Sequence, residues 1–111
     1  MPKDDRVYVA HMLDTARRAT GKLAGRTRDD FDADDNLRLA LAYLLQIIGE
    51  AARSVSVSFQ HANPKIPWKA IIGMRHRVVH DYMNVDEDML WETVVSDLPS
   101  LIAELEKIVA E

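Results

Sequence analysis

Cysteine is absent from this chain of 111 residues, so neither a disulfide framework nor a thiolate zinc site can be built from it. That lack is compatible with a reducing, cytoplasmic setting. Glycine and proline number four each, too few for a loop-rich or low-complexity chain. Extended alternation of β-branched residues is nearly missing, which leaves little material for a sheet. No long apolar run occurs, and the start, Met1-Pro2-Lys3-Asp4-Asp5-Arg6, is charged. Neither a signal peptide nor a transmembrane helix is expected, and a membrane is not an expected partner. A net positive charge is also missing. A formal net charge of −4 argues against broad, non-specific adhesion to nucleic acid. Any such contact has to be a local basic patch.

What is present points to one domain, residues 1–111, with a single core. Hydrophobic residues make up 48% and charged residues 29%, the balance of an ordinary soluble globular protein. From about Asp4 to Thr20, Val9, Met12, Leu13, Ala16 and Ala19 recur at helical spacing. Gly21 and Gly25 punctuate that stripe, and Asp32, Asp34 or Asp35 can cap the next helix. Leu37, Leu41, Leu44, Ile48, Ala51 and Val55 then trace the clearest helix, with Ala40, Tyr43 and Ile47 expected to widen its buried face. Such a helix is central to a bundle. Residues 61–67 form a connector, because Asn63, Pro64 and Pro67 oppose helix propagation. Pro67 can open a third helix through Trp68, Ile71 and Ile72. A last helix begins near residues 85–88 and carries Leu90, Val94, Leu98, Leu101, Leu105 and Ile108, with Pro99 expected to kink or split it. The expected class is all-α, a bundle of four to five helices.

The chemistry concentrates in residues 73–82, Gly-Met-Arg-His-Arg-Val-Val-His-Asp-Tyr. Two imidazoles, two guanidiniums and a phenol fall within ten residues of an otherwise acidic chain. Arg75 with Arg77 is a candidate nucleic-acid patch. Arg75 and His80 are five apart, about 140° around a regular helix. One unbroken helix therefore does not aim both at one point. Either the helix breaks near His80, with Asn84 a fair terminator, or a second copy of the chain completes the site.

These groups suit a phosphodiester. A neutral His80 can take the proton of a ribose 2′-OH, and Arg75 can hold phosphate oxygens and stabilise the charge of the transition state. His76 can supply the complementary acid or orient the phosphate. No metal or other cofactor is needed, and the product would be a cyclic phosphate.

Plainer readings stand beside this one. A basic cluster on a helix is often a solvated or ion-paired surface, and Asp81, Asp86, Glu87 and Asp88 could neutralise it. His76 and His80 have the spacing of a helical zinc site, but no adjacent Glu gives the metalloprotease pattern. Tyr82 could be a core residue with its hydroxyl at the surface. His11 and His61 have no partner pattern, and Glu50 reads as a surface charge. Trp68 and Trp91 read as packing anchors.

The order Arg75-x4-His80-x-Tyr82 resembles the signature of HepT toxins, minimal members of the HEPN superfamily of all-helical ribonucleases. Residues 45–52, Leu-Gln-Ile-Ile-Gly-Glu-Ala-Ala, agree with the family, as do Ile66-Pro67-Trp68 and Ile71-Ile72-Gly73-Met74. Trp91-Glu92 and Asp97-Leu98-Pro99 agree as well. The likeness runs from the central helix to the C-terminus. It implies a homodimeric, metal-independent endoribonuclease, the toxin of a toxin–antitoxin pair. Arg75 and His80 would be catalytic, lining a cleft at the dimer interface; His76, Arg77 and Tyr82 would position substrate. The residue after the motif Arg is commonly Asn in the family and is His76 here. The implied partner is a small nucleotidyltransferase antitoxin, which can transfer AMP onto the motif tyrosine, Tyr82. An alternative function is a non-catalytic helical module that binds a nucleotidyltransferase or a nucleotide.

Overall fold

A computed structural model describes residues 4–81 and 84–110. The first helix, α1 (Asp5–Leu23), starts where the Asp4 carboxylate accepts from the Arg6 N–H at 2.8 Å. Its expected stripe is buried, and Leu23 extends it. Gly25, at φ +75°, turns the chain through a conformation that a side chain disfavours. A short helix, α2 (Arg28–Ala33), follows. Thr27 and Asp30 cap it reciprocally: the Asp30 N–H donates to the Thr27 hydroxyl at 3.1 Å and the Thr27 N–H to the Asp30 carboxylate at 2.9 Å. Phe31 drops from this helix into the core and is fully buried.

Asp34 caps the central helix, α3 (Asp35–Ser54), by accepting from the Leu37 N–H at 3.0 Å. Leu37, Leu41, Leu44, Leu45, Ile48 and Ala52 are buried against α1 and the elements that follow. The outer side of α3 departs from expectation. Tyr43 is 63% exposed and Leu39 54% exposed, so Tyr43 does not widen the face buried within the chain; Ile47 is half-buried. A short α4 (Val57–Ala62) is capped by Ser56, which also donates to the Asp5 carboxylate at 2.7 Å and so ties α4 to the start of α1.

The connector then leads into α5 (Trp68–Ile72), with Pro67 just before its first residue. Next come α6 (Met74–Val78) and a small antiparallel pairing of β1 (Val79–Asp81) with β2 (Asn84–Val85). This pairing was not expected, but two such short strands make no layer, and the molecule is an all-α, HEPN-like bundle. Helix α7 (Glu87–Glu92) is capped by Asp86, accepting from the Met89 N–H at 3.0 Å.

A π-helical turn at Thr93–Asp97 joins α7 to α8 (Leu98–Val109). Here the expected disturbance by Pro99 appears as a widened turn immediately upstream. Pro99 lacks an N–H and its ring crowds the carbonyl four residues earlier, within the segment that opens out. Leu98, Leu101, Leu105 and Ile108 of α8 complete the core. Among the described residues, no helix is long and apolar enough to cross a membrane.

Candidate active site

The motif helix is held from both ends. Upstream, the Trp68 indole N–H donates to the Asn63 carbonyl at 3.0 Å, and its ring meets Phe59 edge-on at 6.5 Å. Trp68 is therefore a packing anchor, and it pins the connector against the start of α5. Ile71 turns inward beside it. The central helix approaches α5 closely: a Cβ at Gly49 would stand 3.2 Å from the Ile71 carbonyl oxygen and 3.5 Å from that of Ile72. Only a glycine leaves both carbonyls undisturbed at that separation.

Gly73 then turns the chain from α5 to α6. Its N–H donates to the Lys69 carbonyl at 3.0 Å, and its carbonyl accepts from the His76 N–H at 3.1 Å. Met74 and Val78, four apart, are 2% and 1% exposed and seat α6 in the core. His76 and Arg77 lie on the exposed side. Helix α6 ends at Val78. The Asp86 N–H donates to the Val78 carbonyl at 2.6 Å, and Val79 pairs with Val85, so the chain leaves the helix at Val78 and is gathered again at Asp86.

The break foreseen near His80 thus falls two residues before it. Arg75 lies on a helix and His80 on an extended strand, and both are placed by their backbone. The same break separates His76 from His80, removing the single helical face that a zinc site at this spacing requires. Tyr82 lies outside the described residues.

Two of the four carboxylates offered as neutralisers of the cluster are directed elsewhere. Glu87 pairs with Arg38 at 3.5 Å and Asp88 with Arg28 at 2.6 Å. Arg28 also holds Asp32 at 2.9 Å, and hydrogen bonds to Asp32 and Asp88 raise its pKa further. Its guanidinium stands 5.6 Å from the Phe31 ring centre and 5.9 Å from that of Trp91, which meets Phe31 edge-on. Trp91 is the second packing anchor. His11, His61 and Glu50 are exposed, as their lack of pattern suggested. Beside α6 runs a groove of about 400 Å³, with Lys65 and Arg77 on the α5–α6 side and Asp97 and Glu104 across it. Neither this groove nor the Gly49 contact was foreseen. A glycine within the otherwise regular stripe of α3 was the available signal for the contact.

A family model described as Ribonuclease HepT-like matches residues 12–108, from α1 to the last turn of α8. The chain belongs to the HepT-like ribonuclease family. Among its relatives, a protein of Caldanaerobacter subterraneus subsp. tengcongensis described as "Putative RNase" is 33% identical over 106 residues, covering 96% of this chain and 95% of its own. "Probable ribonuclease HepT" of Thermococcus cleftensis is 39% identical over 80 residues, 72% of this chain and 73% of its own. A Methanocaldococcus jannaschii protein described as "Gamma-glutamylcyclotransferase and putative RNase" is 33% identical across 100% of this chain, which spans 50% of that protein. No solved structure matches the chain. The HepT-like match contains α5, α6 and β1, and with them Arg75, His76, Arg77 and His80.

Proposed function

We propose that this HepT-like protein is a metal-independent endoribonuclease and the toxin of a toxin–antitoxin pair. The observation that carries this reading is the end of α6 at Val78, which puts Arg75 on a seated helix and His80 on the strand leaving it. A phosphate anchor and a proton acceptor on separate elements can face one ribose–phosphate unit, which one regular helix would prevent. His80, as a neutral imidazole, takes the 2′-OH proton, and the oxygen attacks phosphorus to give a cyclic phosphate. Arg75 holds the non-bridging oxygens and stabilises their added charge. His76 protonates the leaving 5′ oxygen or orients the phosphate, and Arg77 steadies the backbone. Two copies related by a two-fold axis complete the cleft, and the exposed Leu39 and Tyr43 of α3 supply apolar surface for that association. A small nucleotidyltransferase neutralises the toxin by placing AMP on Tyr82, where a bulky anion repels RNA phosphates.

The test is cleavage of total cellular RNA in excess EDTA by wild-type protein shown by mass to carry no AMP, beside Arg75→Ala and His80→Ala. Wild-type cutting with cyclic-phosphate ends, falling by about a hundredfold or more in each variant, is the expected result. Undiminished cutting by His80→Ala overturns its assignment. Intact RNA in every sample replaces the nuclease with a non-catalytic module that binds a nucleotidyltransferase or a nucleotide.

A further inference from the structure

Charge in this chain is segregated along the sequence. No Asp or Glu occurs between Glu50 and Asp81, a stretch of thirty residues that holds Arg53, Lys65, Lys69, Arg75 and Arg77 and three of the four histidines. The remainder carries nine basic residues against eighteen acidic ones. An overall negative charge thus hides a positive segment, which runs from the last turn of α3 through α4, α5 and α6 into β1. Among the described residues, Lys65, Lys69 and Arg77 make no ion pair, nor do Arg18, Lys22 and Arg53, whereas Arg17, Arg26, Arg28, Arg38 and Lys107 each hold a carboxylate. Cations kept unpaired on an acidic protein remain available to an external polyanion.

Their placement is ordered. Trp68 and Ile71 are buried, leaving Lys69 and Ala70 outward on α5, as Met74 and Val78 leave His76 and Arg77 outward on α6. Lys65 and Arg77 line the same groove; His61 and Lys69 line the next, and Pro67 and Ala70 border both. Asp97 and Glu104 form the far wall of the first groove, and Glu104 is tied to Lys107 at 3.2 Å. A phosphate chain entering that groove is repelled by the far wall and kept to the α5–α6 side.

We infer that Lys65 and Lys69, with Arg77, form a binding track for the backbone of single-stranded RNA, running from the motif along α5 to the connector. The inference rests on the ribonuclease reading for its choice of polyanion and adds where the strand lies beyond the cleaved phosphate. These residues touch phosphates away from the reacting bond, so the track sets affinity without choosing sequence. RNA is favoured over an acidic protein because the cations continue without a break into the helix that carries Arg75.

The track is tested by binding of a labelled single-stranded RNA with 2′-O-methyl riboses, which cannot be cut through the 2′-OH, across a salt series. The samples are wild type, Lys65→Gln/Lys69→Gln, and Arg18→Gln/Lys22→Gln on the exposed side of α1 as a control of equal charge loss. Two lost phosphate contacts should reduce the slope of log K against log salt by about 1.4, and weaken binding about tenfold at moderate salt. The control should leave the slope at its wild-type value. An unchanged slope in the Lys65/Lys69 variant, or an equal loss in the control, overturns the track. Loss of binding to an acidic partner protein with RNA binding intact also overturns it and assigns the surface to that protein. The two readings fail separately. Wild-type protein that binds RNA through these lysines but leaves cleavable RNA intact sinks the nuclease and keeps the track; cleavage with an unmoved slope does the reverse.

Discussion

Gly49 shows how much one missing methyl group can decide. Alanine there would gain helix propensity of about 1 kcal/mol, but its Cβ would stand 3.2 Å from the Ile71 carbonyl, tighter than most carbon–oxygen contacts. Helix α5 would have to yield, and α6 follows it after a single turn. Gly49→Ala is expected to lower stability by about 1 kcal/mol in urea unfolding and to slow RNA cleavage about tenfold. Full activity at full stability would mean that α5 yields without disturbing α6. Asp30 permits a prediction of sign. Its pKa lies below the ordinary 3.8 because the Thr27 backbone N–H, and then the Thr27 hydroxyl, hydrogen-bond its carboxylate. The unfolded chain therefore binds the proton more readily, so the stabilisation is complete above the ordinary value and is lost as pH falls through the lowered one. Asp30→Asn should flatten the acid limb of a pH–stability curve by lowering stability in the neutral region, and leave the strongly acid end nearly unchanged. At this scale the sequence was informative about chemistry and poor about contacts. The order Arg75, His76, Arg77, His80, Tyr82 could be read directly, whereas the close approach at Gly49 depends on a helix more than twenty residues away.

Helices legible in the sequence were those stabilised by periodic burial. The stripes of α1, α3 and α8 are long, and each repeats its apolar residues often enough to outweigh local irregularity. The short α2 and α4 have too few apolar residues to show a period; they are set by caps, Thr27 with Asp30 in one and Ser56 in the other. Helix α2 matters out of proportion to its length because Arg38 closes its end. The Arg38 guanidinium donates to the Phe31 carbonyl at 2.8 Å and to the Asp32 carbonyl at 2.6 Å, and it reaches Glu87 of α7. With 15% of its side chain exposed, it is shielded enough for these bonds to count. Arg38→Ala should cost about 2 kcal/mol in chemical denaturation and speed hydrogen exchange in α2 first. Arg38→Lys should recover only part of the loss, since an ammonium cannot reproduce the planar fork.

Across the molecule, the α3 stripe was legible, but its division between inside and outside was not. Periodicity groups Tyr43 with the apolar residues; the fold fills the core from Leu41, Leu45 and Ile48 and leaves Tyr43 and Leu39 outward. If that face receives a second copy, light scattering should give the mass of a dimer at micromolar concentration, and Tyr43→Asp should shift it to the monomer with helicity retained. A monomeric wild type would require the motif to work within one chain. The position of the two indoles has a further, optical consequence. Trp68 is buried beside the motif helix, while half-buried Trp91 stands next to the Arg28 cation where α2 meets α7. Their emission is therefore set by unlike surroundings at opposite ends of the β1–β2 excursion. The chain thus carries two separate intrinsic fluorophores, one reporting on the approach to the motif and one on the return from it.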